Sequence, residues 1–234
     1  MHCRGRELFF ECCCTTVREV VEAICGGASR IELCEALEIG GVTPSENLIR
    51  EALEANPAGR QIPINVLVRP RGGNFVYSKN EAEEMVDQIG RCKQIGVNGI
   101  VIGALDGQGN VDMPLMRRLM AKAAPLEVTF HRAFDECRAP EEALEDIIAL
   151  GCRRLLSSGH EKSADEGREL LSKLVRQAGG RIIVMPGAGI TPDNIARIVQ
   201  STQATEYHGS AHGPAGTTDR AVVSKIINCC QPGN

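Results

Sequence analysis

The stretch Leu126–Gly151, LEVTFHRAFDECRAPEEALEDIIALG, contains the repeating unit that decides the fold. In its first part apolar and polar residues alternate, and the polar face carries Glu127, Thr129 and His131, as in a strand with two different faces. The second part, Pro140–Leu150, has helical periodicity, a proline in its first turn and a glycine just past its end. The stretch therefore predicts a strand followed by a helix.

The same strand–helix unit recurs about every thirty residues along the chain. Strands are predicted at Leu8–Cys14, Arg30–Cys34, Ile62–Arg69, Gly99–Ala104, Leu126–His131, Arg153–Ser158, Arg181–Pro186 and Thr205–His208. Helices are predicted at Val17–Ile24, Ser45–Ala55, Lys79–Ile95, Pro114–Ala123, Pro140–Leu150, Ala164–Gln177, Pro192–Gln200 and Asp219–Ile227, with Thr191 as a helix N-cap. Eight such units predict an α/β protein with a single (β/α)8 TIM barrel.

No linker or change of composition divides the chain, so residues 1–234 are expected to form one domain, with a core of about 8–228 and short flexible termini. A doubly wound open sheet is the structural alternative. It has less support, because no predicted strand is followed by the G-x-G-x-x-G turn of dinucleotide-binding folds.

Charge and hydropathy argue against two classes of partner. The chain has 26 Lys and Arg against 30 Asp and Glu, with no basic block, which is atypical of a protein that binds nucleic acid or an anionic membrane. No apolar run approaches the length of about 20 residues that a membrane span needs. Glu7 and Glu11 interrupt the start of the chain before a signal peptide could form. We therefore expect a cytoplasmic protein.

An odd number of cysteines, eleven, in a chain without an export signal does not predict a disulfide framework. Most are expected to be small buried apolar residues. Cys13 and Cys34 differ, because each lies two residues after a glutamate on consecutive predicted strands. Neighbouring strands lie about 4.8 Å apart, so two inward thiols could share one soft metal ion such as Cu(I), or form a disulfide if the register allows.

Polar residues alternate on the predicted inward faces of five strands. They are Glu11 and Cys13; Arg30, Glu32 and Cys34; Asn65 and Arg69, with Arg71 just beyond; Glu127, Thr129 and His131; and Glu206 and His208. Barrel interiors are normally filled by bulky branched side chains, and a buried charge needs a partner. These residues therefore form either a salt-bridge network that fills the barrel or a functional site at the C-terminal ends of the strands.

Glycines follow the last two predicted strands. Gly187 and Gly189 precede a helix, and Gly209 and Ser210 follow His208. In barrels the loops after strands seven and eight often bind phosphate through backbone N–H groups. The alternative is that these glycines only form tight turns.

Long segments of the chain resemble the CutC family of copper homeostasis proteins. They are GGASRIELCEALEIGGVTPS, VRPRGGNFVYS, VIGALDGQGNVD, VTFHRAFDECRAPEEALE, LSSGHEKSADEG, RIIVMPGAGI and TEYHGSAH, and the resemblance as a whole runs from Glu11 to about His212. The resemblance implies a TIM barrel, a role in cytoplasmic copper handling and tolerance, and Cu(I) binding by Cys13 and Cys34. This chain reads CCCTT where the family usually has one cysteine followed by Val-Asp-Ser, and His212 stands where arginine is usual.

Two hypotheses about function follow. In the first, Cys13 and Cys34 bind Cu(I) as thiolates, and Glu11, Glu32, His131 and Arg69 orient them, with no organic cofactor. In the second, the chain is a lyase, isomerase or hydrolase acting on a small anionic, phosphorylated or carboxylated metabolite. We place the binding protein first, and we expect a dimer or tetramer because barrels often self-associate.

The enzyme hypothesis assigns its own roles. His131 and either Glu11 or Glu32 would act as general acid and base, and Arg69 with Arg71 would hold a carboxylate or phosphate. The remaining ligand-binding residues of this hypothesis are Gly187, Gly189, His208, Gly209 and Ser210.

Overall fold

The structure, a computed structural model, describes residues 8–57 and 61–229; the termini expected to be flexible lie outside these ranges. The strands are β1 Phe9–Cys14, β2 Arg30–Leu33, β3 Ile64–Leu67, β4 Gly99–Ile102, β5 Glu127–Phe130, β6 Arg154–Ser157, β7 Ile183–Pro186 and β8 Glu206–Gly209. The helices are α1 Val17–Gly26, α2 Glu46–Glu54, α3 Lys79–Ile95, α4 Met113–Ala123, α5 Pro140–Ala149, α6 Arg168–Ala178, α7 Ile195–Thr202 and α8 Arg220–Asn228. In the described ranges, no helix is both long and apolar enough to span a bilayer.

The eight strands form one parallel sheet that curves back on itself. Strand β1 pairs with β2 on one side and with β8 on the other, so the first and last strands of the chain are neighbours. Strands β7 and β8 lie in contact and bring the two edges of the sheet together. This is the predicted (β/α)8 TIM barrel, because an open sheet would keep its two edge strands, β7 and β8, apart.

The outward faces of the strands pack against the helices in one large apolar core. On β1 this face consists of Phe10, Cys12 and Cys14, each fully buried. Cys12 and Cys14 therefore fill the layer between strand and helix, while Cys13 between them points into the barrel with Cys34, Leu67 and Val101.

Helices α6 and α7 begin later than predicted because the preceding loops bond to other groups. The Ala164 N–H donates to the Ala188 carbonyl at 3.0 Å, which ties the loop after β6 to the loop after β7. The prediction of Thr191 as N-cap is wrong: α7 begins at Ile195, and Thr191 instead opens a turn in which its N–H donates to Asn194 Oδ1 at 2.8 Å.

Buried charges fill the barrel toward the N-terminal ends of its strands. Arg30, 1% exposed, donates to the carboxylates of Glu11 and Glu206, the latter at 2.6 Å. Arg154 donates to Glu206 at 2.7 Å and to Glu127 at 2.7 Å. In this half of the barrel the inward charged residues therefore form a salt-bridge network that fills the interior, which was one of the two alternatives. Glu127 was expected to face inward but lies at the rim, where more than half of its side chain is exposed.

Replacing Glu206 by Gln should destabilise the fold strongly, because two buried arginines would lose the carboxylate that they share. Breaking a buried ion pair from one side typically costs about 3–5 kcal/mol. The exposed pair Glu83–Arg118 provides the matched control, since Glu83→Gln removes a carboxylate whose partner stays in water. Urea unfolding followed by circular dichroism should show a large loss of stability for Glu206→Gln only. Equal shifts in the two variants would contradict the assignment.

Candidate functional site

A cavity of about 240 Å³ opens at the C-terminal ends of the strands, which is where functional sites lie in this fold. Its lining consists of Cys13, Glu32, Leu37, Gly40, Leu67, Arg69, Phe75, His131, Arg132, Leu156, Ala188, Gly189, His208, Gly209 and Ser210. Its polar residues come from β1, β2 and β8, from the segment after β3 and, across the interior from β1, from the residues that follow β5.

The two thiols predicted to face each other do so. Cys13 aligns with Glu32 in the β1–β2 ladder, and Cys34 follows β2, its N–H donating to the carbonyl of Cys14 at 3.1 Å. The Sγ atoms of Cys13 and Cys34 lie 3.6 Å apart, too far for a disulfide bond but close enough for a sulfur hydrogen bond. Cys34 is completely buried behind Cys13, which faces the cavity.

Cys13 is held as a neutral thiol. Its hydrogen bond with Cys34 and its burial raise the pKa of the Cys13 thiol well above its ordinary value, and the nearby Glu32 carboxylate adds to the effect. A nucleophilic cysteine needs the opposite environment, one that stabilises the thiolate. Cys13 is therefore unsuited to attack a substrate unless a cation displaces its proton.

Glu32 and His208 lie beside Cys13. One ligand atom from each of the three residues falls within 4.8 Å of the other two, which makes them a potential metal-binding group. His208 Nδ1 lies 2.8 Å from Glu11 Oε1 and 3.8 Å from Glu32 Oε2. A histidine whose ring nitrogen is fixed by a buried carboxylate is typical of oriented metal ligands.

The two carboxyls beside His208 have opposite acidities. Burial raises the pKa of Glu32 to about 7, although His208 opposes the shift. Burial would also raise the pKa of Glu11, but Arg30 and His208 outweigh it and lower that pKa to about 2. For His208, burial favours the neutral ring, but Glu32 and the bond to Glu11 outweigh it and raise the pKa. Glu32 is thus a group on this side that can exchange a proton near neutral pH.

Arg69 lines the cavity but is occupied by the protein backbone. Its Nη1 donates to the carbonyls of Ile39 and Gly41, and its Nη2 donates to that of Gly73 at 2.6 Å. The guanidinium also lies over the Phe75 ring, 4.6 Å from its centroid. Arg69 therefore joins the loops that follow β2 and β3, and its terminal nitrogens are taken.

Arg71 lies away from the cavity lining. Its guanidinium donates to Glu81 at 2.5 Å and to the carbonyls of Gly72, Asn74 and Val76. These bonds organise the loop before α3. The structure thus does not bring Arg69 and Arg71 together as free anion-binding groups.

His131 directly follows β5 and is 5% exposed. Its Nδ1 accepts the N–H of Ala133 at 3.1 Å, and burial together with Arg69 lowers the pKa of the imidazole to about 3. The ring is therefore neutral and carries its hydrogen on Nε2. These contacts suit His131 to donate a hydrogen bond to a ligand, and not to act as the general acid or base that the enzyme hypothesis assigned to it.

Arg132 is the charged cavity residue to which sequence reasoning gave no role. Its Nε donates to Asp135 at 2.8 Å and its Nη2 to Ser158 Oγ at 3.1 Å. Asp135 also accepts from Ser157 Oγ at 2.6 Å and from the Ser158 N–H. The signal lay in the sequence HRAFD, because an arginine and an aspartate three residues apart directly follow an inward-facing histidine.

The glycine-rich loops after β7 and β8 form another part of the wall. Gly189, with φ of +70°, lines the cavity with Gly209 and Ser210. Gly187 lies beneath them, where a Cβ would come within 2.5 Å of Leu156 and 3.2 Å of His208. The absence of a side chain at Gly187 therefore leaves room for the His208 ring, which is a packing role.

Sequence comparison gives a consistent assignment. The sequence model of the CutC family matches residues 8–213. A CutC family protein from Parabacteroides distasonis is 47% identical over 201 residues, covering 86% of this chain and 82% of that protein. A CutC family protein from Xylella fastidiosa is 50% identical over 189 residues, covering 80% of this chain and 68% of that protein.

Comparison with solved structures agrees. The crystal structure of a Streptococcus agalactiae CutC protein, provisionally assigned to copper homeostasis, superposes with a TM-score of 0.82 and 31% identity over 87% of this chain and 98% of its own. Thiamine phosphate pyrophosphorylase from Pyrococcus furiosus, with a TM-score of 0.65 and 17% identity over 97% of this chain and 96% of its own, shares the fold alone. The chain belongs to the CutC family.

Proposed function

We propose that this chain takes part in copper homeostasis by binding Cu(I) between Cys13 and Cys34. The observation that carries the proposal is the 3.6 Å separation of two buried sulfurs, of which that of Cys13 faces an accessible cavity. Metal–thiolate bonds are about 2.3 Å long for an ion such as zinc, so two sulfurs at this separation can contact one ion of similar size. Soft thiolates favour Cu(I) over harder divalent ions.

The neighbouring groups support a metal site. His208 and Glu32 can add a nitrogen or an oxygen ligand, and Glu11 fixes the His208 ring. The surrounding side chains of Leu67, Val101 and Leu37 limit access of water to the sulfurs. The copper homeostasis assignment of the Streptococcus agalactiae relative supports the identity of the metal.

An enzymatic reaction on a small anion is the second candidate. It is favoured by Glu32, whose pKa of about 7 suits proton transfer near neutral pH. NMR in D2O with small keto acids or phosphates as probes, comparing native protein with Glu32→Gln, tests it. Proton exchange or conversion that depends on Glu32 supports an enzyme, and unchanged spectra of all probes contradict it.

Removing both thiols should abolish stoichiometric Cu(I) binding. All proteins compared carry Cys25→Ser and Cys229→Ser, which remove two exposed thiols that could bind copper adventitiously. In this background, the double variant Cys13→Ala, Cys34→Ala should no longer take Cu(I) from a high-affinity chelator, whereas the protein with both thiols should.

The matched control removes two thiols from the same strand, by Cys12→Ala with Cys14→Ala. These residues face the helices, so the control should retain one tightly bound Cu(I) per chain. Circular dichroism verifies that both double variants are folded. Unchanged affinity in the variant that lacks Cys13 and Cys34 would end the proposal.

Copper binding should strengthen with rising pH. Because the pKa of Cys13 is raised well above its ordinary value, this thiol is protonated from pH 6 to 8, and Cu(I) must displace its proton to form the thiolate bond. The apparent association constant should therefore rise by about tenfold per pH unit for each proton displaced. Chelator competition at several pH values, corrected for the titration of the chelator, measures the slope. A flat profile would exclude thiolate ligation by Cys13.

A further inference from the structure

We infer that the same cavity binds a small organic anion, whose carboxylate or phosphate is held by Arg132 while a second oxygen accepts a hydrogen bond from His131. This site lies on the β5 side of the cavity. In an eight-stranded barrel β5 lies across the interior from β1, so the site is separate from the thiol pair and does not rest on copper binding.

His131 supplies an unused donor. Its Nδ1 is occupied by the Ala133 N–H, so the neutral ring carries its hydrogen on Nε2. Nε2 is buried and has no hydrogen-bond partner in the part of the chain that the structure describes. The ring lines the cavity and packs against Phe75 with centroids 5.0 Å apart. A buried donor without a partner is costly, and an acceptor oxygen of a ligand in the cavity would satisfy it.

Arg132 supplies the charge. Asp135 and Ser158 hold its Nε and Nη2, so the plane of the guanidinium is fixed at the cavity wall. Its Nη1 makes no hydrogen bond to the described residues, and its side chain is 45% exposed. A fixed guanidinium with a free edge is suited to a carboxylate or a phosphate. Arg69 donates its hydrogen bonds to neutral backbone carbonyls, so its positive charge is not cancelled and adds to that of Arg132 at the cavity.

The cavity restricts the size and polarity of the ligand. About 240 Å³ is below the range of drug-sized sites, and Leu37, Leu67, Phe75 and Leu156 give it apolar walls. Arg132 presents the free edge of a fixed guanidinium to the cavity, so the charged end of the ligand should lie there. The ligand class is therefore a compact anion that also carries a carbonyl or hydroxyl oxygen, rather than an inorganic anion.

Two pairs of probes test the inference on the chelator-treated full chain by isothermal titration calorimetry. Pyruvate is compared with neutral pyruvamide, and dihydroxyacetone phosphate with dihydroxyacetone. We expect at least one anionic probe to bind more tightly than its neutral partner, and the pair that responds identifies the anionic group. Arg132→Gln should lower the affinity for that anionic probe by about tenfold or more, and the anionic and neutral members of the pair should then bind equally.

His131→Asn provides an independent test, because the amide oxygen can still accept the Ala133 N–H while the shorter side chain withdraws the donor. This substitution should lower the affinity for the anionic probe by about three- to tenfold. Arg138→Gln, which removes an exposed arginine outside the cavity lining, is the matched control and should bind like the native chain.

Failure of both anionic probes to bind, or their unchanged binding to folded Arg132→Gln and His131→Asn, overturns the inference. If either variant does not fold, the other decides. The Cys13→Ala, Cys34→Ala protein should retain anion binding, which distinguishes this site from the copper proposal; its loss there would place the anion at the thiols and overturn the inference as well.

Discussion

The barrel depends on the pairing of Arg30 at its centre. This side chain is almost completely buried, so its charge requires carboxylates from inside the barrel, and β1 and β8 supply them. Because side chains alternate along a strand, turning Glu11 inward to meet Arg30 also turns Cys13 inward two residues later. In the same way the inward position of Arg30 fixes Glu32 and Cys34. The ion pairs toward the N-terminal ends of β1 and β2 and the thiols toward their C-terminal ends therefore lie on the same inward faces.

The alternation of residue types made much of this predictable from the sequence. The strand faces that carry Glu11, Glu32 and His208 were evident because each alternates with apolar residues. Arg154 was missed because β6 lies within RRLLSS, where both faces have the same composition and no alternation distinguishes them. The sulfur–sulfur distance was also beyond the sequence, since it depends on the register of β1 against β2.

The roles of the arginines were less predictable than their positions. Arg69 and Arg71 follow β3 and looked available to a ligand, but loop carbonyls take up their hydrogen-bonding groups. Backbone acceptors are provided by every residue, so the sequence does not show where a loop will present them. Thr191 is a similar case. Threonine favours N-cap positions, but here the turn closed by the bond from its N–H to Asn194 overrides that preference.

The two proposed sites occupy opposite walls of one cavity, and their charges are linked. In the apo protein Cys13 is a neutral thiol, so the net charge of the thiol side after Cu(I) enters depends on how many protons leave. One displaced proton leaves the net charge unchanged, whereas two displaced protons add one negative charge to a wall that already contains Glu32. Only the second case opposes an anion at Arg132, and by linkage the anion would then weaken copper binding by the same factor. The cavity walls are largely apolar, and charges inside a protein are screened less than at its surface, so such a coupling could be transmitted without any movement of the barrel.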